Sequence, residues 1–495
     1  MIWHRPFRTA IGTACALALT ACSVGPNYHR SSAPPSPVFK SDQGWSPATP
    51  AQVTDAQWWS IYNDATLSAL EEQVEVSNQN VKAAVANFYA AREATGVDES
   101  GFFPQITLGA TGTHSGGAGQ YNTGVSGYQH VGSTRRTVYE ADASASWDID
   151  IWGKLRREVE SDIAKAQADA ADIAAARLSA QNTLAADYFQ LRAAEQEMRI
   201  LKTTVQEYKV SLKIAQNQVN AGTTTLADVY SARTQLEDTI AQENSVELTR
   251  DEMEHAIAVL VGKAPSQLAI PPGEFTTTVP VVPAGLPSQL LLRRPDIAAS
   301  ERSLQSANAQ IGVAEAGWFP SLTLSGSYGY ESSALTNLIG AGTRVWSYGP
   351  SLAETLFNAG ATYAQTKEER ALYDSAVATY RETVLTAFQQ VENDLATLRH
   401  LETEYAQDNA AVVDAEKSAT LTLNQYRAGT VAYTSVIVAD TTLFNAQITA
   451  LNVQSERLVA SADLVDAIGG GWDSAQLKSH DDGVTESLKS TVEMQ

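Results

Sequence analysis

The chain has 495 residues, of which 44% are hydrophobic and 18% charged, so it can bury a large core and is not a small disulfide-stapled scaffold. Its formal net charge of −22 argues against nucleic-acid binding, which needs a basic surface. The sequence contains no run of 18 apolar residues and hence no ordinary transmembrane helix, so any membrane crossing has to be made by strands closed into a barrel.

Residues 1–21 have the features of a secretory signal peptide, because basic residues precede an apolar stretch that ends in small residues. The following Cys22 is typical of a bacterial lipobox, which predicts cleavage before Cys22 and a covalent lipid on its thiol. An ordinary signal peptide, in which Cys22 has no special role, is the other interpretation. By resemblance to the sorting of bacterial lipoproteins, Ser23 after the cysteine favours the outer membrane.

The mature part of the chain contains two copies of one unit. Residues 96–104 match residues 312–320 at six of nine positions, and Ala-Gly-Thr occurs at 221–223 and again at 428–430. Because the two matches occur in the same order, they indicate an internal duplication. Each copy is predicted to consist of helix, strand, loop, strand, long helix, turn and returning helix.

The predicted domain organisation follows from this duplication and from the proline-rich segments that flank the first copy. It comprises a signal peptide at 1–21, a lipidated N-terminal segment at 22–63, a first repeat at 64–262, a linker at 263–287, a second repeat at 288–471 and a C-terminal tail at 472–495. The tail is polar and is predicted to be disordered.

Four segments alternate between apolar and polar residues and are predicted as strands, at about 104–114, 137–151, 320–331 and 344–356. The clearest alternation places four carboxylates on one strand face, at Glu140, Asp142, Asp148 and Asp150. This pattern fits membrane strands with apolar side chains toward lipid and polar ones toward a lumen. The pattern also fits a soluble β-sandwich with one solvent-exposed face. The signal peptide favours the membrane barrel over the sandwich.

The number of strands bears on assembly, because single-chain membrane barrels have at least about eight strands. Four strands from this chain are too few, so several protomers are predicted to share one barrel. The segment 115–136 between the first two strands is rich in glycine and serine and is predicted as an exposed loop, as is 332–342 in the second copy.

Two long segments without proline or glycine lead to Gly222 and Gly429 and are predicted as helices of about 100 Å each. Their apolar residues recur in heptad steps, which is typical of coiled-coil packing. Each glycine is predicted to end its helix in the left-handed conformation. Second helices then return at about 227–261 and 435–468.

Several motifs together resemble a known family. They are Cys-Ser-Val-Gly-Pro-Asn-Tyr at 22–28, Trp-Trp at 58–59, Arg-Arg-Pro-Asp at 293–296 and the two Ala-Gly-Thr turns. The chain resembles the TolC-like outer-membrane efflux factors, in particular the lipoproteins that work with resistance-nodulation-division pumps. The resemblance implies an α+β membrane protein with an internal two-fold repeat. Four strands per protomer would share a 12-stranded trimeric outer-membrane β-barrel, continued by a coiled-coil α-helical barrel in the periplasm.

The resemblance also implies a gate at the periplasmic end. The family's hydrophobic ring falls on Val436 and its acidic ring on Asp440, although the residues alone favour a solvated helix charge at Asp440. The family often has a basic residue three positions further on, where this chain has Leu443, so a salt-bridge lock is not predicted.

The partners implied by the resemblance are the other two protomers of a homotrimer, a periplasmic adaptor of the membrane fusion protein class, an inner-membrane resistance-nodulation-division transporter and outer-membrane lipid. The adaptor is expected to dock at the helix-tip turns, at Gly222, Thr223, Gly429 and Thr430. No nucleic-acid partner is expected.

Motifs of catalysis are missing from the sequence, which has no serine-nucleophile elbow, zinc-protease motif or P-loop. Asp148 and Asp150 could form a catalytic carboxylate pair, but no other catalytic group accompanies them. The seven histidines lack metal-ligand spacing. The sequence therefore predicts no enzyme, no metal and no cofactor other than the lipid on Cys22.

The predicted function is that of the outer-membrane channel of a tripartite efflux pump, a passive exit duct for small molecules such as drugs or toxic compounds, gated at the periplasmic helical tip. Two alternatives stay open. One is the outer component of a protein secretion or metal export system, and the other is a non-conducting coiled-coil lipoprotein that tethers envelope layers.

Overall fold

A computed structural model of the chain describes residues 23–32, 34, 57–121, 130–276, 278–282, 292–475 and 477, with the backbone alone at 117–121 and 130–134. Cys22 and most of the predicted C-terminal tail lie outside the described residues. The chain divides into two compact units. The first comprises the described residues within 1–31, 89–166 and 301–378, and the second comprises those within 32–88, 167–300 and 379–495.

From the first strand of each half onward, helices and strands follow the same order in the two halves of the chain. The first half contains α1 (Ala65–Ser77), α2 (Gln79–Glu99), β1 (Gln105–Tyr121), β2 (His130–Ile149), α3 (Lys154–Asn220) and α4 (Leu226–Leu260). The second half contains α5 (Pro295–Ala316), β3 (Ser321–Ser332), β4 (Arg344–Ala353), α6 (Ala361–Arg427) and α7 (Tyr433–Ala467). Helices α3 and α6 both have 67 residues, and α4 and α7 both have 35, so the two halves match in the order and length of their long helices. Before the strands, the described residues contain two helices in the first half and one in the second.

The first unit contains one sheet in which the strands lie in the order β1-β2-β3-β4, and every neighbouring pair is antiparallel. The two copies of the repeat meet in the middle of this sheet, where β2 pairs with β3 from Tyr139 opposite Ser332 to Ile149 opposite Leu322. Because side chains alternate between the two faces of a strand, this register places the polar set of each strand on one common face.

Strands β1 and β2 are longer than the sequence predicts. A loop is expected at 115–136, but β1 continues to Tyr121 and β2 begins at His130, and these two residues pair with each other. The loop prediction is therefore wrong over most of its length. Glycine- and serine-rich composition indicates weak side-chain packing, whereas a hairpin ladder depends on backbone hydrogen bonds that these residues can still make.

The second unit has a large apolar core to which α1, α3, α4, α6 and α7 all contribute. The heptad positions Leu184 and Leu191 of α3 are fully buried in it. The short 3-10 turn at Trp58–Tyr62 adds three aromatic side chains, and its Tyr62 hydroxyl lies 2.6 Å from the Ser461 hydroxyl of α7. Among the described residues, no helix combines the length and hydropathy needed to cross a membrane.

Candidate functional site

The polar face of the sheet carries three of the four predicted lumen carboxylates. Glu140 lies directly opposite Glu331, and Asp142 lies opposite Gly329. The Asp148 carboxylate accepts a hydrogen bond of 2.5 Å from the hydroxyl of Thr323 on β3. Two like charges in directly opposed positions repel each other, and the exposed Arg136 side chain, 3.0 Å from the Glu331 carboxylate, supplies a counter-charge. These exposed charges favour a face in contact with water over a packed protein core.

Asp150, the fourth predicted lumen carboxylate, has a different position. Strand β2 ends one residue earlier, at Ile149. The Asp150 carboxylate accepts hydrogen bonds from the backbone N–H groups of Leu155 and Arg156 in the first turn of α3, and also from the Arg156 side chain. The predicted position of Asp150 on the strand is therefore wrong. Its carboxylate binds N–H groups at the start of a long helix, which have no partner within that helix.

The opposite face of the sheet is apolar and largely uncovered. Trp346 and Tyr348 of β4 stack with ring centroids 5.8 Å apart, yet they are 67% and 80% exposed, and Leu108 of β1 is 87% exposed. An exposed apolar surface of this kind marks contact with lipid or with another protein. One polar and one apolar face on the same four strands is the arrangement expected of strands between lipid and water.

The first predicted helix-tip turn follows α3. Gly222 has φ +71°, its N–H donates to the carbonyl of Val219, and the N–H of Thr223 donates 2.9 Å to the carbonyl of Gln218. These two bonds define a Schellman motif, in which glycine takes the left-handed position without a Cβ penalty. The Thr223 hydroxyl adds a third bond to the same Gln218 carbonyl, at 3.0 Å.

The second helix-tip turn, after α6, has the same geometry. Gly429 has φ +76° and donates to the carbonyl of Tyr426, while the N–H and the hydroxyl of Thr430 both donate to the carbonyl of Gln425, at 3.0 and 2.9 Å. The two Ala-Gly-Thr motifs thus fold into the same turn.

Val436 does not have the position that the resemblance implies. Its side chain is fully buried in a cluster with Ala232, Tyr426 and Tyr433. A side chain enclosed by its own protomer cannot line an opening between protomers. The prediction that Val436 forms a hydrophobic ring is therefore wrong for this conformation. Val438, two residues further along α7, is 65% exposed.

Asp440 is half-buried on α7, beside residues of α3. Burial raises the pKa of its carboxyl to about 6, and the nearby Glu207 carboxylate contributes in the same direction. Tyr208, which is 2% exposed, interacts electrostatically with Asp440 and hydrogen-bonds with the Thr441 side chain. Asp440 is therefore part of the contact between α3 and α7, and the acidic ring of the family stays a prediction.

The structure adds contacts that the sequence does not reveal. The Tyr426 hydroxyl of the second tip donates 2.5 Å to Gln218 Oε1 of the first tip. Arg157, only 4% exposed, donates to the backbone carbonyls of Val24 and Gly25 and to Asn27 Oδ1. The segment that follows Cys22 is thereby bound to α3 near its start.

Metal-ligating side chains do not cluster in the described parts of the chain: no group of three or more His, Cys, Asp or Glu residues there could hold a metal ion. The geometry instead consists of a two-faced sheet and two matching helix tips.

Several known proteins are similar to this chain in sequence and in fold. The profile of a family described as "Outer membrane efflux protein" matches residues 70–263 and 286–470. The outer membrane protein OprJ of Pseudomonas aeruginosa is 28% identical over 472 residues, which cover 93% of this chain and 95% of OprJ. The probable outer membrane lipoprotein SilC of Salmonella typhimurium is 29% identical, with 92% of this chain and 96% of SilC covered.

The fold is similar to that of solved channels. The structure of the outer-membrane channel OprN aligns with a TM-score of 0.81 and 26% sequence identity, covering 91% of this chain and all of OprN. The fold class expected from the resemblance is confirmed by this similarity. The relatives are outer-membrane proteins and channels rather than enzymes. With the profile matching most of both repeats, the chain belongs to the outer membrane efflux protein family.

Proposed function

We propose that three copies of this efflux protein form the passive exit duct of a tripartite pump, which releases small molecules across the outer membrane. The observation that carries the proposal is the four-stranded sheet with one polar and one exposed apolar face. Four strands cannot close a barrel around a water-filled lumen, whereas twelve strands from three chains can. The unpaired edges of β1 and β4 supply the backbone groups through which neighbouring copies would join.

The lumen of such a barrel would be lined by the polar face. Glu140, Asp142 and Asp148 would each occur three times, which makes the wall acidic. An acidic wall raises the local concentration of cations and favours their passage over that of anions.

The helix tips are the proposed docking site for a periplasmic adaptor. The two Schellman turns have the same geometry and would repeat in each protomer, so the adaptor would meet a series of similar surfaces. An inner-membrane resistance-nodulation-division transporter would supply the energy, because the sequence has no P-loop with which the duct itself could bind a nucleotide. The Cys22 lipid would bind the mature N-terminus to the membrane, and the description of SilC as a lipoprotein supports this part.

Opening of the duct would require the helix pairs near Asp440 to separate at the tip. Within one protomer, this region contains the Val436 cluster, the hydrogen bond between the Tyr208 and Thr441 side chains, and the hydrogen bond from Tyr426 to Gln218. We propose that these contacts favour the closed state.

The test is planar-bilayer conductance of the purified oligomer. The wild type is compared with the double variant Glu140→Gln and Asp142→Asn, and with Glu72→Gln, which removes an exposed charge of α1 as a matched control. We expect discrete, cation-selective conductance in the wild type and the control, and clearly lower cation selectivity in the double variant. Insertion of folded protein without any conductance would contradict the duct and favour the non-conducting tether.

A further inference from the structure

A cavity of about 390 Å³ lies within the first unit, where α5 leads into β3 and where α6 begins. It is open to solvent, and its lining combines aromatic rings with basic side chains. None of its residues belongs to the tip turns or to the polar face of the sheet.

The aromatic wall of the cavity is held in place by specific contacts. The Trp318 indole N–H donates 3.1 Å to the hydroxyl of Thr366, which is itself buried. Phe319 stacks on Trp152 with ring centroids 4.7 Å apart. Although its N–H is bonded, Trp318 is 51% exposed, so a face of this fixed ring is available to a ligand.

Two basic side chains of α6 line the same cavity. Lys367 Nζ lies 5.7 Å from the centroid of the Tyr363 ring, which is a cation–π distance. Arg370 donates 2.8 Å to the carboxylate of Glu315, the acidic residue of the lining. That pair is neutral as a whole, so Lys367 leaves the cavity with an excess positive charge, in a chain of net charge −22.

The cavity lies at the end of a strand. Trp318 and Phe319 stand immediately before β3, which begins at Ser321. If the strands cross the outer membrane as proposed above, the helical side of this junction is the level of the periplasmic headgroups. Aromatic side chains are enriched at that level, and basic side chains there attract anionic lipid headgroups.

We infer that this cavity binds the headgroup of an anionic phospholipid from the periplasmic leaflet of the outer membrane. The phosphate would lie against Lys367, and the glycerol and upper acyl carbons would lie against Trp318 and Tyr363. This inference rests on the proposed membrane position of the strands.

A competing occupant is the lipid of the chain itself, because Val24 lines the cavity and Cys22 is two residues away. That lipid is a thioether-linked diacylglycerol with no charge, and it would leave the excess charge of Lys367 without a counter-ion. A phosphodiester supplies that counter-ion, which is why the phospholipid is favoured.

Native mass spectrometry of the full lipidated protein in detergent tests the inference. Phosphatidylglycerol and the zwitterionic phosphatidylethanolamine are added in parallel to the wild type, to Lys367→Gln and to Lys417→Gln. Lys417 is an exposed lysine on the same helix and serves as the matched control. We expect phosphatidylglycerol to bind the wild type and the control in preference to phosphatidylethanolamine, and to bind Lys367→Gln about fivefold more weakly.

Three results would overturn the inference. One is equal binding of phosphatidylglycerol to all three proteins, and a second is a loss in Lys367→Gln that does not distinguish the two lipids. The third is an additional phosphatidylglycerol bound by Cys22→Ser but not by the lipidated protein, which would assign the cavity to the chain's own lipid. Conductance of the same preparations is measured in parallel. A protein that conducts but does not bind phosphatidylglycerol would contradict this inference and leave the proposed duct intact.

Discussion

The hydroxyl of Tyr426 donates a 2.5 Å hydrogen bond to Gln218 Oε1, and so connects two helix tips that are 208 residues apart in the chain. The Tyr426 ring also packs 5.3 Å from the Tyr433 ring at the start of α7. One tyrosine therefore contacts both the end of α3 and the beginning of α7. Any movement that separates these helices has to break its contacts.

Tyr426→Phe keeps the ring contact and removes the hydrogen bond. We expect the closed tip to lose about 1 kcal/mol, and the open probability in planar bilayers to rise several-fold. Tyr230→Phe on α4, where the tyrosine is 61% exposed, is the control and should behave like the wild type. An open probability that does not differ between the two variants would remove Tyr426 from the gate.

Asp440 gives the helix contact at the tip a defined dependence on pH. Its pKa is raised from 3.8 to about 6, so the packed state favours the neutral carboxyl. The contribution of this group to stability is therefore fully present below about pH 4 and is lost as pH rises through about 6. We expect amide hydrogen exchange in the first turns of α7, corrected for intrinsic rates, to be slower at about pH 5 than at about pH 7.5.

Asp440→Asn is neutral at both pH values, and this variant should abolish most of that difference in protection. The neighbouring Glu207, whose pKa is also raised by burial, supplies a matched variant, Glu207→Gln. We expect it to reduce the difference only in part, because Glu207 is a secondary cause of the Asp440 shift. A pH effect that persists unchanged in Asp440→Asn would assign the titration to another group.

Arg157 should determine the order of the segment after the lipidated cysteine. Arg157→Ala removes the donors to Val24, Gly25 and Asn27, and we expect faster amide exchange in the segment together with a loss of about 1–3 kcal/mol. Lys154→Ala, which removes an exposed helix charge 3.7 Å from Glu158, is the control. Unchanged amide exchange at Val24, Gly25 and Asn27 in Arg157→Ala would show that other contacts hold the segment.

Glu71 of α1 should destabilise the protein progressively as pH rises from about 4.5 to about 9. It has no exposed area, neither carboxylate oxygen has a hydrogen-bond partner within the described residues, and burial raises its pKa to about 9. The folded state keeps the proton, whereas the unfolded chain releases it near the ordinary value of 4.5. The wild type therefore loses about 1.4 kcal/mol per pH unit between these two values.

Glu71→Gln keeps the shape and has no proton to release. We expect its Tm to exceed that of the wild type by a few degrees at about pH 8 and to match it near pH 4.5. The measurement is thermal unfolding in detergent at a series of pH values. A Tm difference that does not depend on pH would contradict a neutral Glu71 in the folded protein.

The features that the sequence predicts well are those with a local physical cause. The two glycines locate the ends of α3 and α6 to within about two residues, because a glycine that ends a helix needs no information from elsewhere in the chain. The alternation in β2 likewise identifies its polar and apolar faces, since the period of a strand is fixed.

The features that the sequence misses depend on distant partners. Arg157 binds mainly backbone carbonyls, and a carbonyl has no signature in the sequence. Val436 is apolar whether it faces a pore or a neighbouring helix, so helical periodicity alone cannot assign its direction. Asp150 continues the alternation of β2 by one residue, yet its hydrogen bonds to the next helix place it outside the strand.

The hairpin of β1 and β2 extends well past the rest of the sheet. The β2 residues 130–138 pair with β1 alone, because β3 begins to pair only at Tyr139, and nine residues of strand extend about 30 Å. In the proposed orientation this ribbon points away from the periplasm. It then extends farther outward than the other strands of the sheet, and an antibody or a bacteriophage would reach it before those strands.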